Sequence, residues 1–245
     1  MHGLLGTSDN WRTHAKYWSA HFCVHALDQR NHGKSFHSSV FDYDVLATDV
    51  INYMDAKQIN KAVVLGHSMG GKTAMTLALL YPNRINQLIV ADIAPKTYDV
   101  AQKFGAIIEG MLHINRMQLT SRNDADEALK TFVSQVGVRQ FLLKNLAWTA
   151  EKKSLKLRCN IEALAARLPE IGAAPPKGVF EGETLFLAGV QSDYISEDDL
   201  DEIQKYFPNA AVIKIPKAGH WLHAENPKGF TQALHDFLAI APAKN

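Results

Sequence analysis

Residue types that together could cleave an acyl bond stand at marked places in this sequence. Ser68 lies in Gly66-His67-Ser68-Met69-Gly70, between an apolar β-branched run and a helix-tolerant segment. That order indicates a strand, a tight turn and a helix, and a serine at such a corner sits in a strained conformation with its hydroxyl pushed outward. The amides that open the helix, beginning at Met69, can face developing negative charge. The pattern predicts a nucleophile at Ser68 and half of an oxyanion hole beside it.

A serine hydroxyl needs a base, and a histidine oriented by a carboxylate is the usual one. In a frame of this kind the order along the chain is serine, acid, histidine. Of the 11 histidines, His220 fits best, because it follows the last predicted strand in an exposed loop after Gly219. His223 is a weaker candidate, and His67 points the wrong way on such a turn. We therefore predict that His220 is the general base.

Two aspartates fit the place of the acid. Asp92 ends the strand that follows the nucleophile helix, and Asp193 lies in the loop after the next strand. Both satisfy the order serine, acid, histidine. An aspartate at either position also fits a purely structural role as a helix or loop cap. The residues alone leave both possibilities open.

The pattern of apolar residues predicts the strands and helices that would position these side chains. Strands alternate with helices, which predicts an α/β fold with a mainly parallel, doubly wound sheet. Reactive groups collect at the carboxyl ends of the strands in such sheets, where all four candidate residues stand. The last helix is predicted to run to about Ile240. The apolar runs predict strands at residues 23–27, 61–65, 87–91, 184–189 and 211–215.

Residues 97–177 interrupt this alternation. Helical patterns follow one another there, the last around residues 139–148 and 160–168, no strand is predicted, and residues 172–177 form a Gly/Pro-containing linker. The pattern predicts an α/β core domain formed by residues 1–96 and 178–245, with a helical cap at residues 97–177. The apolar cap suggests a pocket for the acyl or alcohol part of a substrate.

The composition argues against several functional classes. The chain has 245 residues, 47% of them hydrophobic, and a formal net charge of +1, which gives no reason to expect nucleic acid or an anionic membrane as partner. Cys23 and Cys159 lack disulfide or metal-ligand spacing and are predicted to be buried free thiols. There is no charged-then-apolar leader and no apolar run long enough for a bilayer. We expect a cytoplasmic protein that acts on a small molecule without cofactor or metal.

These motifs resemble the α/β-hydrolase superfamily. The likeness rests on residues 66–71, 2–6 and 218–225, and it covers nearly the whole chain. Residues 28–33 and 92–95 are specific to a narrower branch. The sequence therefore resembles the ybfF-type bacterial esterases, which are akin to the mammalian abhydrolase-11 group.

The resemblance bears on the choice of acid. In most α/β-hydrolases the acid comes three residues after the glycine that ends the penultimate strand. Here that glycine is Gly189, and the third residue on is Ser192, which is not an acid. The ybfF branch implies that the acid stands at Asp92 instead. Asp193, one residue displaced from the usual place, stays the alternative.

The resemblance further implies that the backbone amides of Leu4 and Met69 form the oxyanion hole. Members of the family carry strands before the His-Gly turn, and the strand leading into that turn lies in the middle of the sheet. This sequence begins at the turn, at residues 2–3. Because unpaired sheet backbone is costly, we expect either residues upstream of this sequence or another closure of the sheet.

Residues and resemblance together predict a serine carboxylesterase for short- to medium-chain acyl esters, and the resemblance also allows acyl thioesters. A serine at the corner argues against the dehalogenase and epoxide-hydrolase branches, which use aspartate there. Two alternatives stay open: acyl transfer or perhydrolysis on the same triad, and a non-hydrolytic receptor that keeps the frame.

Overall fold

The computed structural model describes residues 1–151 and 153–239 and contains two compact units. The first combines Met1–Asp49 with Thr97–Ala173, and the second combines Val50–Lys96 with Ala174–Asn245. Single 3₁₀ turns occur at Ser8–Trp11, Pro82–Arg84 and Glu197–Asp199. In chain order, the helices and strands are α1 Arg12–Trp18, α2 Tyr43–Ala56, β1 Ala62–His67, α3 Met69–Leu80, β2 Ile85–Ala91, α4 Val100–Arg116, α5 Arg122–Leu129, α6 Val136–Leu143, β3 Leu146–Trp148, β4 Leu155–Leu157, α7 Ile161–Ala165, α8 Leu168–Gly172, β5 Thr184–Gly189, α9 Leu200–Tyr206, β6 Ala210–Ile215, α10 Leu222–Glu225 and α11 Pro227–Phe237.

The second unit is organised around a parallel sheet with the strand order β1-β2-β5-β6. His67 at the end of β1 pairs with Ala91 at the end of β2, and Ala91 pairs with Leu187 in β5. Gly189 at the end of β5 pairs with Ile215 at the end of β6. The register therefore brings the carboxyl ends of the four strands to one edge. The predicted mainly parallel sheet is confirmed.

Burial explains why these strands were readable from the sequence. All six residues of β5 are buried, and the first ten residues of α3 are buried as well. A parallel strand covered on both faces is apolar along its whole length, which is the pattern that the sequence shows. The four predicted strands at residues 61–65, 87–91, 184–189 and 211–215 match β1, β2, β5 and β6 to within two residues.

The first unit is mostly helical but contains a strand pair that the apolar pattern does not predict. β3 and β4 are antiparallel, with Leu146 opposite Leu157 and Trp148 opposite Leu155. The predicted absence of strands from residues 97–177 is therefore wrong, and so is the predicted helix across residues 146–148. Each strand has only three residues, which is too short a run for period-two alternation to stand out from helical spacing.

The predicted strand at residues 23–27 is also wrong, because the segment forms no strand in the described part of the chain. Val24 is 40% exposed, and Cys23 is exposed rather than buried as predicted. An apolar run becomes a buried strand only when a neighbouring strand and a packed layer cover it. Cys159 is buried as predicted, and its burial raises the pKa of the thiol to about 12.

Three further expectations concern the end of the last helix, the division into core and cap, and the cellular location. Helix α11 ends at Phe237, and residues 238–239 form a turn, so the helix is shorter than predicted; the predicted end at about Ile240 lies outside the described residues. The division into a core at residues 1–96 and 178–245 and a cap at residues 97–177 stays a prediction, as does the cytoplasmic location. Within residues 1–151 and 153–239, no helix has the length and apolar character needed to cross a membrane.

Candidate active site

Ser68 occupies the one-residue turn between β1 and α3. Its backbone has φ 54° and ψ −120°, a left-handed φ that non-glycine residues rarely adopt. The Ser68 amide donates to the carbonyl of Ala91 at 2.9 Å, and the Lys72 amide donates to the Ser68 carbonyl at 3.0 Å. Backbone bonds on both sides therefore hold the strained residue, so that its side chain projects from the corner.

Gly66 makes this corner sterically possible. A Cβ atom at Gly66 would lie 2.0 Å from the carbonyl oxygen of Gly70, far inside van der Waals contact. The strand and the first turn of the helix cross at this point, and only a residue without a side chain fits the crossing. The glycine spacing seen in the sequence is thus a direct requirement of the turn.

His220 lies in the loop after β6, within hydrogen-bonding distance of two predicted site residues. Its Nε2 is 3.0 Å from the Oγ of Ser68, and its Nδ1 is 2.8 Å from Oδ2 of Asp92. A carboxylate only accepts, so the proton of the neutral ring sits on Nδ1. The Nε2 lone pair then faces the serine hydroxyl, which donates to it. This is the tautomer that a general base requires.

Asp92 follows β2 directly and is completely buried, with φ 53°. Its Oδ1 accepts the amide of Gly189 at 2.8 Å, and its Oδ2 accepts both the Nδ1–H of His220 and the hydroxyl of Ser192. Three donors compensate the desolvation of the carboxylate, which would otherwise be prohibitive. The carboxylate is therefore fixed before any substrate binds.

Asp193, the alternative acid, is exposed in the loop after β5. Both ring nitrogens of His220 are engaged by Ser68 and Asp92. The structure thus brings Ser68, His220 and Asp92 together within the second unit, and it does not hydrogen-bond Asp193 to the imidazole.

Ser192 is a further residue of the candidate site, and the sequence marks it only as the usual acid position without an acid. Its hydroxyl donates to Oδ2 of Asp92, so the side chain supports the acid from the slot where most family members carry the acid itself. The position three residues after Gly189 was the available signal. What the sequence did not reveal is that this slot faces the end of β2.

His67 packs beside the site without contacting the serine hydroxyl in the described hydrogen bonds. Its Nε2–H donates to the backbone carbonyl of His220 at 2.7 Å, and its ring lies 4.7 Å from that of His220 and 4.8 Å from that of His223. Burial, and then the two neighbouring histidines, hold the pKa of His67 well below its ordinary value. His67 is therefore neutral and supports the backbone of the His220 loop.

That loop is fixed from two further directions. The carboxylate of Glu225 accepts the amide of Gly219. A Cβ atom at Gly189 would lie 2.3 Å from the carbonyl oxygen of Gly219, so the end of β5 and the His220 loop meet backbone to backbone. The position of the His220 imidazole therefore depends on the absence of a side chain at Gly189, at the end of β5.

The two predicted oxyanion donors differ in their local structure: Met69 begins a helix, and Leu4 lies in a turn. Met69 is the first residue of α3, where an amide has no acceptor within the helix. Leu4 lies in a turn of the first unit and is buried; the next residue, Leu5, has φ 58° and donates its amide to Nε2 of His32 at 3.1 Å. The part of Leu4 in an oxyanion hole stays a prediction.

The arrangement contains the groups that acyl transfer needs: a serine hydroxyl, a neutral imidazole and a buried carboxylate in hydrogen-bonded series. Within residues 1–151 and 153–239, no group of three or more histidine, cysteine, aspartate or glutamate side chains could hold a metal ion.

Comparisons with known proteins agree on one fold family. A family model described as the alpha/beta hydrolase fold matches residues 1–227. The chain is 39% identical over 245 residues to the sn-1-specific diacylglycerol lipase ABHD11 of Danio rerio, which covers 97% of this chain and 77% of that protein. It is 33% identical over 238 residues to Esterase YbfF of Escherichia coli K12, with 97% and 91% covered. A solved structure named Marine microorganism esterase superimposes with a TM-score of 0.92 at 34% identity, covering 97% of this chain and 93% of that one. The resemblance read from the motifs is confirmed, and the chain belongs to the α/β-hydrolase fold family.

Proposed function

We propose that this chain is a serine carboxylesterase that cleaves short- to medium-chain acyl esters through an acyl-enzyme on Ser68. The coarser part of this statement, that the chain is an ester-hydrolysing enzyme, follows from its family and from relatives named as esterases and lipases. The proposal adds the catalytic residues and the substrate range.

One observation carries the proposal. The Oγ of Ser68, both nitrogens of His220 and a buried carboxylate oxygen of Asp92 form a continuous series with spacings of 3.0 Å and 2.8 Å. A structural serine has no need of a strained φ, a base and a desolvated acid in line. The combination is best explained as an activated nucleophile.

The chemistry follows from these positions. His220 takes the proton from Ser68 as the oxygen attacks the acyl carbonyl, and Asp92 stabilises the imidazolium that forms. The amide of Met69, and that of Leu4 according to the family resemblance, would hold the oxyanion. His220 then gives the proton to the leaving alcohol, which leaves an acyl group on Ser68.

Water completes the cycle by the reverse order of proton transfers. His220 removes a proton from water, hydroxide attacks the acyl carbonyl, and the proton returns to the Ser68 oxygen as the acid departs. A thiol leaving group needs no different residue, so acyl thioesters fall within the proposal. An alcohol or hydrogen peroxide in place of water would give acyl transfer or perhydrolysis on the same residues.

Hydrolysis of p-nitrophenyl butyrate by the purified chain tests the proposal. We expect Ser68→Ala and His220→Gln to lower kcat by about 10³-fold or more, and Asp92→Asn by about 10²- to 10⁴-fold. The matched controls are Asp193→Asn for the acid and His21→Gln, an exposed histidine, for the base. Both should stay within about threefold of the unmodified chain, because neither removes a member of the series.

The product separates the alternatives. Butyrate is expected in water, whereas accumulation of a butyrate ester on addition of an alcohol, with little free acid, would favour acyl transfer. Full activity of Ser68→Ala, or an equal loss in Asp193→Asn and Asp92→Asn, would contradict the assignment.

A further inference from the structure

The ring of Tyr194 lies flat against the imidazole of His220. The ring centroids are 3.8 Å apart, and the planes differ by 17°. Tyr194 stands in the loop after β5, two residues beyond Ser192, and is half-buried. The hydrogen-bonded series of serine, histidine and aspartate does not include this contact.

We propose that Tyr194 is a positioning residue for His220 and that its π face stabilises the imidazolium formed when the histidine takes the serine proton. The inference deepens the proposed function and rests on it, because it assigns Tyr194 a part only if His220 is the base.

The first step is geometric. The hydrogen bonds to Ser68 and Asp92 lie at the two ring nitrogens and therefore fix the direction of the imidazole within its own plane. They restrain rotation about the line between the nitrogens only weakly. A flat ring at 3.8 Å covers one face and resists that rotation. Tyr194 thus supplies the restraint that the hydrogen bonds leave out.

The second step is electrostatic. An aromatic face carries negative quadrupole charge and attracts a cation within about 6 Å of its centroid. His220 is neutral in the resting tautomer and cationic once it holds the serine proton, so this attraction appears as the reaction proceeds. Interactions that strengthen toward the transition state raise kcat, whereas uniform ones do not.

The third step concerns the other groups around the imidazole. Burial, and then the Asp193 and Asp92 carboxylates, raise the pKa of Tyr194 above its ordinary value, so its ring is neutral. His67, whose ring centroid lies 4.7 Å from that of His220, is neutral as well, because burial lowers its pKa. His223 in turn packs on His67. The ring of Trp221 also lies near the imidazole, with its centroid 6.0 Å away and its plane tilted by 60°. The Asp92 carboxylate and the face of Tyr194 favour the imidazolium directly, and the Asp193 carboxylate beside Tyr194 acts in the same direction.

The fourth step is the anchoring of the loop. The Tyr194 amide donates to the Ser192 hydroxyl at 3.3 Å, which ties it to the acid. Asp199 accepts the amide and hydroxyl of Ser196 at 2.8 Å and 2.9 Å and pairs with Lys96 at 2.6 Å. Lys96 follows the strand end that bears Asp92. These contacts connect the loop that bears Tyr194 to the segment that follows β2 and bears Asp92.

The test compares three substitutions at this position in the full chain. Tyr194→Phe keeps the π face, Tyr194→Leu removes it, and replacement of Tyr194 by pentafluorophenylalanine keeps the shape but reverses the quadrupole. The readouts are kcat and KM for p-nitrophenyl butyrate and the pH profile of kcat/KM, with thermal melting to show that each variant folds.

We expect Tyr194→Phe to stay within about threefold of the unmodified chain. Tyr194→Leu and the fluorinated variant should lose about 3- to 30-fold in kcat with little change in KM, as expected for a cation–π contact that forms in the transition state. The acid limb of the kcat/KM profile should move to lower pH by about 0.5–1.5 units in both, because the imidazolium loses stabilisation.

Two results would overturn the inference: an unshifted acid limb in the fluorinated and leucine variants, or a fluorinated variant with the kcat of the unmodified chain. The second result would make the ring a purely steric element. Failure of the proposed function is recognised separately, because Ser68→Ala would then retain activity whatever the variants at position 194 do.

Discussion

At the scale of single residues, the hydroxyl of Ser192 is the feature that sets this site apart from most members of the family. It occupies the slot where most α/β-hydrolases carry the acid, and it donates to Asp92 instead. The Asp92 carboxylate directly after β2 and the Ser192 hydroxyl on the loop after β5 are therefore hydrogen-bonded at the place where most family members carry one carboxylate. The arrangement makes the orientation of His220 depend on two strand ends.

We expect Ser192→Ala to lower kcat about 3- to 10-fold with little effect on KM, because Asp92 loses one of three donors while the proton-accepting series stays intact. Steady-state kinetics with p-nitrophenyl butyrate measures this loss. Ser192→Thr keeps the hydroxyl and should behave like the unmodified chain. An equal loss in both variants would show that space, not the hydrogen bond, matters at this position.

His67 gives a prediction about stability at the same scale. Its Nε2–H donates to the backbone carbonyl of His220, and His67→Leu leaves that carbonyl without this donor. We expect a loss of about 1–3 kcal/mol in the free energy of unfolding, measured in urea. His67→Gln places an amide donor at a similar reach and should recover most of the loss. If both variants unfold alike, the hydrogen bond contributes nothing measurable.

The spacing of the residues predicts Ser68 and His220, and the family resemblance predicts Asp92; the structure places the three side chains in one hydrogen-bonded series. The residues alone leave Asp92 and Asp193 open. Ser68 is marked by local spacing, and His220 by its place after the last strand. The choice between Asp92 and Asp193 depends on which strand end lies against His220, and that follows from the pairing of β2 with β5. A register between distant segments leaves no local trace in the chain.

At the scale of elements, Gly189 couples two strands at the site. Its backbone donates to Asp92, and its missing side chain admits the Gly219 carbonyl. The loop that carries His220 therefore lies directly against the end of β5, and a larger residue at position 189 would push it away.

We expect Gly189→Ala to lower kcat at least about 10-fold, since the new Cβ would lie 2.3 Å from a backbone oxygen and must displace the His220 loop. The matched control is Gly105→Ala within α4, where an added Cβ meets nothing within 4 Å. That change should leave kcat unaltered and stabilise the fold by about 0.5–1 kcal/mol, because glycine is a poor helix former. Unaltered kinetics in Gly189→Ala would show that the loop accommodates the methyl group.

The elements themselves were predictable where burial was continuous. β5 is buried along its length and was placed to the residue, whereas β3 and β4 have three residues each and were missed. Residues 23–27 show the opposite error, because their apolar run predicts a strand that the structure does not form. Composition records how apolar a segment is, but not what covers it.

At the scale of the whole molecule, the burial of Lys72 predicts that folding stability depends on pH. It lies four residues after Ser68 in α3, is almost fully buried and donates to the Lys96 carbonyl. Burial, and then the charge of Lys96, lower the pKa of Lys72 to about 7. The unfolded chain keeps the ordinary pKa of 10.5 and so holds more protons than the folded chain between about pH 7 and 10.5.

The free energy of unfolding should therefore rise with pH across this window, by up to about 1.4 kcal/mol per pH unit, and the penalty is greatest below pH 7. Urea unfolding of the unmodified chain and of Lys72→Met between pH 6.5 and 9.5 isolates the contribution. We expect a shallower dependence in Lys72→Met. Parallel curves would show that the pKa of Lys72 is the same in the folded and unfolded chain.

Covalent labelling of the purified chain with a fluorophosphonate, followed by peptide mass spectrometry, tests the central claim most directly. The predicted result is one adduct per chain on Ser68, lost in Ser68→Ala and formed far more slowly in His220→Gln. An unlabelled chain, or an adduct on another residue that persists in Ser68→Ala, would contradict the claim that His220 activates the Ser68 hydroxyl.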